Sequence, residues 1–219
     1  DTAAVSGATA RYCTACSFGA DRALFGFGYG WDGSANVDWS VTNLVSTSGV
    51  VSSNTTGVGT ARRYPGSVRY GPLSNGKAIV YGGAPGGSNT NTSNLISAAG
   101  VVASDTTGVG TSRQYPAGAP FGGDQAIFAY GYTSSNVNVA NKVSTAGVIS
   151  SDISGVGTAR RGLYGAPYGG DKGVFAYGIA SSVSSLKNLV SNSGTVGSDV
   201  TGVGTARSGV VAAGYSQSA

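Results

Sequence analysis

The 219-residue sequence contains no histidine, no methionine and no glutamate, and charged residues make up only 10% of it. Histidine is the commonest general base and metal ligand, so its absence argues against catalysis and against a metal site. The net charge of +4 is too small for the basic stripe that duplex nucleic acid requires. No apolar run approaches the roughly 20 residues of a membrane span. We therefore expect no enzymatic activity, no cofactor, no nucleic-acid partner and no membrane insertion.

Strong helix formers are scarce as well, whereas glycine is abundant at 38 residues. The apolar residues that are present form short runs of Val, Ile, Phe and Tyr, separated by Gly, Asn and Asp. This pattern is typical of short strands joined by turns, and it predicts an all-β protein. A chain without methionine does not begin at its own initiator, so we expect a processed product or a piece of something longer.

The sequence is built from four copies of one unit. The segment Thr-Gly-Val-Gly-Thr-Ala-Arg at residues 56–62 returns at 107–113, 154–160 and 201–207, and a degenerate version ends at Arg11. These arginines recur at intervals of 47–51 residues. A second motif keeps step, beginning at Asn43, Asn94, Asn141 and Asn188. We divide the single repeat domain, residues 1–219, into units 12–62, 63–113, 114–160 and 161–207, with partial units at 1–11 and 208–219.

Each unit predicts four antiparallel strands, which matches the blade of a β-propeller. The first strand consists of small residues and suits the crowded axis, whereas the second carries the Phe and Tyr that would fill the space between blades. A stacked β-solenoid is the structural alternative. The partial units at the two ends would close the ring or pair with another chain, because an unpaired strand edge favours association.

The order of these segments resembles a kelch-type repeat. The small-residue strand is followed by Ala-Ile-Phe-x-Tyr-Gly, a variable loop, Asn-x-Val-Ser-x-x-Gly-Val-Val and Thr-Ala-Arg, over residues 12–207. Only Gly82-Gly83 keeps the double glycine of kelch units, and their late tryptophan is missing. The amino-acid sequence of the repeat also resembles repeats in structural and tail proteins of bacteriophages. That resemblance implies an extracellular role in a virion, as a tail fibre or decoration protein.

A recurrent arginine follows an Asp or Asn by eight residues in every unit. Such an offset could bring the guanidinium onto the turn carbonyls and the carboxylate of its own or the adjacent unit, which predicts a repeated structural clamp. A ring of arginines around an axial anion site is the alternative. The residues of the predicted clamp are Arg62, Arg113, Arg160, Arg207, Asp105, Asp152 and Asp199, with Asn54 in the first unit.

Other polar residues favour structural interpretations. Cys13 and Cys16 lack the further ligands that zinc needs, so we expect two small buried thiols, with a local disulfide as the alternative. Cys16 aligns in the sequence with Ser67. The repeated Asp21, Asp124 and Asp171 predict Asx turns.

The loop between the second and third strands differs most among the units, and in the first unit it contains both tryptophans. Aromatic rings flanked by Asp and Asn are typical of sugar binding, so this rim is a candidate glycan or receptor site, with packing or subunit contact as the alternative. The candidate residues are Trp31, Asp32, Asn36, Asp38 and Trp39. The sequence thus predicts a structural or receptor-binding module of an extracellular particle that contacts other virion subunits. The alternatives are a secreted or cell-surface lectin and a homo-oligomeric filament subunit.

Overall fold

The computed structural model describes residues 10–214, so residues 1–9 and 215–219 of the two predicted partial units lie outside the described chain. Two 3₁₀ turns, Leu73–Asn75 and Pro85–Gly87, interrupt an otherwise β structure. The strands are β1 (Ala10–Arg11), β2 (Thr14–Phe18), β3 (Arg22–Trp31), β4 (Asn36–Val45), β5 (Gly66–Tyr70), β6 (Lys77–Tyr81), β7 (Ser93–Ile96), β8 (Ala117–Phe121), β9 (Gln125–Tyr132), β10 (Asn136–Val143), β11 (Tyr164–Tyr168), β12 (Lys172–Ala176) and β13 (Lys187–Val190).

Each unit forms its own antiparallel sheet, with the apolar second strand in the middle. The sheets are β2-β3-β4, β5-β6-β7, β8-β9-β10 and β11-β12-β13, and β1 adds a short fourth strand to the first of them. The all-β prediction is confirmed. The predicted propeller is not confirmed, because the sheets described do not close into a ring or a barrel.

The predicted fourth strand of each unit makes only isolated bridges to the third strand, such as Val143↔Ile149 and Ala140↔Ile153. A serine side chain interrupts the ladder between them: Ser150 Oγ accepts the hydrogen bond from the backbone N–H of Lys142 at 2.9 Å. Ser52 does the same for Leu44 at 2.9 Å. In units 2 and 4 Ala103 and Gly197 replace the serine, and the fourth strand still makes only isolated bridges, so three strands form in every unit where four were expected.

The hydrophobic core consists of three layers, each between two successive sheets. In the first layer Phe18, Leu24 and Phe27 of unit 1 meet Ala78, Val80 and Ile96 of unit 2. The second layer joins units 2 and 3 around Tyr81 and Phe128, and the third joins units 3 and 4 around Tyr130 and Phe175. Each sheet therefore buries both faces only where it has a neighbour on both sides, as in repeat proteins generally.

The first strands β2, β5, β8 and β11 lie side by side in one row. At one end of this row the rings of Tyr12, Tyr64 and Tyr115 stack with centroids 4.4 and 4.1 Å apart. All three tyrosines have φ near +60°. The backbone N–H of Tyr64 donates to the carbonyl of Tyr12, and that of Tyr115 donates to the carbonyl of Tyr64. These stacked rings and hydrogen bonds hold the first strands of units 1 to 3 at a regular spacing.

The register at the start of the chain differs by one residue from the predicted alignment. Arg11 pairs with Tyr29, as Arg63 pairs with Ala84 in the next unit, so Arg11 corresponds to Arg63. The residue at the place of Arg62 is Ala10. Because side chains alternate between the two faces of a strand, a shift of one residue changes the face that each side chain occupies.

Candidate functional sites

The arginines at the ends of units 1 to 3 lie fully buried between two sheets. Arg113 donates hydrogen bonds from Nε to the carbonyl of Tyr130 at 2.9 Å and from Nη2 to Asn141 Oδ1 at 2.7 Å. Its Nη1 donates to Tyr81 Oη at 3.3 Å and to the carbonyl of Thr111 at 3.2 Å. These bonds join the end of unit 2 to the interior of unit 3. Arg62 bonds Gly82 O, Thr60 O and Asn94 in the same way, and Arg160 bonds Tyr177 O, Thr158 O and Asn188.

An asparagine and an aspartate of the following unit complete each clamp. Asn141, which is fully buried, donates from Nδ2 to Asp152 Oδ1 at 2.9 Å and to the carbonyl of Ser150 at 3.0 Å. Asp152 accepts from the backbone N–H of Thr111 at 3.0 Å and from its hydroxyl at 2.5 Å. The clamp therefore satisfies its buried polar groups mutually, which is what their burial requires. The corresponding residues are Thr60, Asn94 and Asp105 at the first junction and Thr158, Asn188 and Asp199 at the third.

The carboxylate of each clamp belongs to the adjacent unit and not to the unit of the arginine. Arg160 Nη1 lies 3.6 Å from Asp199 Oδ1, and the charge of Asp105 acts on Arg62. Of the two geometries that the eight-residue offset allowed, the structure contains the one between units. The three buried guanidinium groups have protein acceptors, so their arrangement does not favour the alternative of an anion site.

Burial and hydrogen bonding act in opposite directions on the acidic groups of the clamp. Partial burial raises the pKa of Asp105, but hydrogen bonds from Thr60 and Asn94 and the charge of Arg62 outweigh it, so the pKa lies below its ordinary value. The pKa values of Asp152 and Asp199 are lowered by the same contacts. Burial lowers the pKa of Arg62 to about 10 despite the charge of Asp105. All these groups remain ionised at neutral pH.

An aromatic ring covers the guanidinium in every unit, although its position in the sequence varies. Phe27, Tyr130 and Tyr177 have positive φ, and their rings lie 4.5, 4.6 and 4.8 Å from the arginine that follows. In unit 2, Gly82 takes the positive φ and the neighbouring Tyr81 supplies the ring at 5.2 Å. In the unit with the double glycine, the aromatic residue therefore lies one position earlier in the sequence, but its ring still covers the guanidinium.

Arg207, the fourth residue of the predicted clamp, lies outside any junction in the described chain. Its side chain is exposed and donates from Nε to the carbonyl of Thr205 at 3.2 Å, with Tyr177 beside it. Arg11 is exposed too and lies over Tyr12 and Tyr29. The two arginines at the ends of the series therefore do not form clamps within residues 10–214.

The two residues of the Trp31 rim that pair across its strands are open to solvent. Trp31 is 45% exposed and pairs with the exposed Asn36. Asp32 closes the turn, where its Oδ1 accepts from the backbone N–H groups of Ser34 and Ala35 at 2.8 Å. These hydrogen bonds lower the pKa of Asp32. An Asx turn thus forms at Asp32, whereas Asp21, Asp124 and Asp171 make no side-chain hydrogen bond within the described residues, so the predicted Asx turns there are not seen.

Of the other two candidates of the rim, Asp38 contacts the next unit. Asp38 forms an ion pair with Arg63 Nε at 2.8 Å and also accepts from the backbone N–H of Gly86 at 2.8 Å. The ring of Tyr29 lies 3.8 Å from the Arg63 guanidinium. Trp39 is partly buried, and its Nε1 has no hydrogen-bond partner among the described atoms. Asp38 therefore acts as an inter-unit contact, and the sugar-binding prediction rests on Trp31, Asp32 and Asn36.

The contact of Asp38 and Arg63 recurs, and we call it the rim clip. At the third junction Arg161 Nη1 donates to Asn136 Oδ1 at 3.1 Å. At the second junction Gln114 stands in the place of the arginine, and Asn89 Oδ1 is buried without a partner. The rim clip is thus incomplete at one of its three junctions.

Both thiols are free, and only one of them is close to the predicted environment. Cys13 is exposed, in contrast to the expected burial. Cys16 lies against the first core layer and pairs with Leu24, as Val68 pairs with Ile79. It therefore corresponds to Val68 and not to Ser67, which corrects the sequence alignment by one residue. Burial raises the pKa of Cys16 to about 12, and a hydrogen bond with Ser67 opposes the shift.

Sequence reasoning missed the clamp asparagines, although their signal was available. Each repeated Asn begins the third-strand motif, and it lies 28 to 32 residues after the arginine that it binds. The tyrosine stack was missed as well, because Tyr12, Tyr64 and Tyr115 have no counterpart at Gly162. A recurrence that skips one unit is easily overlooked in a glycine-rich sequence.

Comparison with known proteins gave no family assignment: no protein-family model and no curated protein matches the chain. Within residues 10–214, no helix has the length and apolar character that crossing a bilayer would require. Nor do the Cys and Asp side chains within residues 10–214 form a group of three or more that could hold a metal ion.

Proposed function

We propose that this protein is a non-enzymatic structural repeat module of an extracellular particle, such as a phage virion or tail fibre. One observation carries the proposal: a clamp of a buried arginine, a buried asparagine and a more exposed aspartate recurs at all three junctions between units. A fold that repeats the same polar contact at each junction is suited to holding its units in a fixed relation. The low charge and the likeness of its repeats to phage structural proteins favour the particle setting.

We further propose that the sheets are arranged radially, as kelch-like blades with one sector open. A cavity of about 410 Å³ supports this arrangement, because residues of all four first strands line it, among them Cys16, Val68, Gly118 and Gly165. Cys13 of unit 1 also contributes to the raised pKa of Tyr164 in unit 4, after the larger effect of burial. Units 1 and 4 would not share a cavity in a long linear stack.

The structural role can be tested on particles. An antibody raised against the chain should label virions in negative-stain electron microscopy, and peptides of the chain should copurify with particles through a density gradient. Recovery only from the soluble secreted fraction would overturn the particle assignment. Small-angle scattering tests the geometry separately, since a radial arrangement gives a compact particle and a linear stack gives an elongated one.

A second candidate function, carbohydrate binding, is favoured by the exposure of Trp31 opposite Asn36. A ring 45% exposed can cover the apolar face of a sugar, while the free oxygen atoms of Asp32 and Asn36 bind its hydroxyls. A glycan array probed with the wild type and with Trp31→Ala tests this function. Tyr168→Ala is the matched control, because Tyr168 is 38% exposed and lies outside the rim. If neither the wild type nor the control binds any sugar, the candidate is rejected.

A further inference from the structure

Unit 1 contains the receiving half of a clamp without an arginine in it. Asn43 occupies the place of Asn94, Asn141 and Asn188, as its pairing with Phe25 in the sheet shows. Its Nδ2 donates to the carbonyl of Ser52 at 3.1 Å and to Asn54 Oδ1 at 2.9 Å, which is the pattern of the internal clamps. Its Oδ1 accepts no hydrogen bond from residues 10–214, and the position in register with Arg62 is an alanine, Ala10.

The sheet face around this empty half is uncovered. Phe25 is 49% exposed, whereas the equivalent Val80, Phe128 and Phe175 are fully buried against the preceding unit. Val51 is 52% exposed, whereas the equivalent Ile149 is buried. The apolar position that the three other units bury is therefore presented to solvent by Phe25 in unit 1.

Unit 4 presents the opposite half. Arg207 keeps the backbone contact of the other clamp arginines, since its carbonyl accepts from Gly178 N–H at 2.9 Å, but its guanidinium is exposed. In the same unit Leu189 is 40% exposed, and its strand partner Val174 is half-buried, although the equivalent Ile79 and Ile127 are buried. The two end faces thus carry the two complementary halves of the junction that the chain uses three times internally.

We propose that a second copy of this chain docks head to tail, with Arg207 of one copy entering the empty half-clamp of the next. In the docked state Arg207 donates to the carbonyl of Phe27 and to Asn43 Oδ1 of the other copy, and Phe25 becomes buried against unit 4. This proposal rests on the structural role proposed above and names its partner. Because the two faces differ, the contact is heterologous. Units 1 and 4 already share a cavity, so further copies cannot close a flat ring around it, and repeated docking leads to a helical filament.

Two features make this junction weaker than the internal ones. Asn54 replaces the aspartate of the other clamps, so no carboxylate neutralises the incoming guanidinium. Residues 208–214 also lie along β11, where the Gly209 N–H donates to the Gly162 carbonyl at 3.0 Å. This hydrogen bond repeats the one from the Tyr64 N–H to the Tyr12 carbonyl between units 1 and 2. Residues 208–214 therefore occupy the position that β2 of the second copy would take. The segment is mostly exposed, and it moves aside when the next copy docks.

Sedimentation velocity of the full chain over a wide concentration range tests the proposal. We expect reversible association of the 21.5 kDa chain, weakened at least about tenfold by Arg207→Ala. Asn54→Asp, which supplies the missing carboxylate, should strengthen association. The exposed Lys77 provides the charge-matched control, since Lys77→Ala should leave association unchanged.

A mixing experiment shows whether the contact is head to tail. Arg207→Ala keeps an intact receiving half, and Asn43→Leu keeps an intact Arg207. At a concentration at which the wild type associates and neither variant does by itself, an equimolar mixture of the two variants should form dimers and nothing longer.

A chain that stays monomeric at every concentration, association that survives Arg207→Ala unchanged, or a mixture without dimers would each overturn the proposal. None of these results bears on the particle labelling that tests the structural role, so the two proposals fail separately.

Discussion

The substitution Arg113→Lys tests the clamp most directly. The guanidinium of Arg113 reaches acceptors in two units, Tyr130 O and Asn141 Oδ1 on one side and Thr111 O on the other, at 2.7 to 3.2 Å. A lysine ammonium is a single point charge and cannot occupy all three directions of the fork. At least two buried acceptors would lose their donor.

The cost follows from those lost contacts. A buried polar group left without a partner costs about 1–3 kcal/mol, and the lysine leaves at least two such groups while it keeps the positive charge. We therefore expect Arg113→Lys to reduce the free energy of unfolding by about 3–5 kcal/mol. For a chain of this size that corresponds to a fall in Tm of roughly 6–20 °C.

Urea and thermal unfolding, followed by circular dichroism, provide the measurement. Arg207→Lys is the matched control, because the same residue type is exposed there and the expected change is within about 0.5 kcal/mol. A loss below about 1 kcal/mol for Arg113→Lys, or an equal loss for the control, would refute the reasoning. If the arginines instead formed an anion site, sulfate affinity would fall while the stability stayed constant.

The repeat and the all-β class could be predicted from sequence, because strand and turn residues recur with a fixed period. The clamp arginines could be predicted as well, since a charged residue that recurs in an uncharged sequence needs a repeated partner. Which unit supplies that partner could not be predicted: Asp105 is eight residues from Arg113 along the chain, yet it accepts hydrogen bonds from Thr60 and its charge acts on Arg62. Sequence distance does not determine which sheet faces which.

The register of the first unit could have been predicted from the dipeptide Arg-Tyr and not from the arginine alone. Arg11-Tyr12 matches Arg63-Tyr64, whereas the alignment by arginine alone matched Arg11 to Arg62. The error of one residue placed Cys16 on the wrong face of its strand. It also concealed that Ala10 stands where a clamp arginine would be, and hence that unit 1 has an empty half-clamp.

Whether the sheets close into a ring could not be predicted from the sequence, because the same junction between units can form both in a ring and in an open stack. A ring forms only if the angle between successive sheets is large enough. The small residues of strands such as β8 and β11 determine how closely the sheets approach each other, but not this angle. Phe25 and its buried equivalents have similar residue types in every unit, so the sequence carries no signal that one of them is exposed.

Three further predictions concern single groups. The folded state favours the ionised form of Asp152, so its stabilising effect should be complete above the ordinary pKa of 3.8 and lost as the pH falls through the lower pKa of the folded state. Asp152→Asn should therefore flatten the acid side of the plot of Tm against pH. Parallel plots for the wild type and the variant would contradict this. A thiol reagent at pH 8 should modify the exposed Cys13 before Cys16, whose pKa of about 12 keeps it protonated, as peptide mass spectrometry can establish; equal rates would show that Cys16 is accessible and ionised. Gln114→Arg should complete the rim clip, because a guanidinium at that position can donate to the buried, unpartnered oxygen of Asn89. We expect a gain of about 1 kcal/mol in urea unfolding, since the new bond replaces an unsatisfied acceptor. Gln114→Lys adds the same charge without the planar fork and should gain less, so an equal gain would attribute the effect to charge and not to the hydrogen bond.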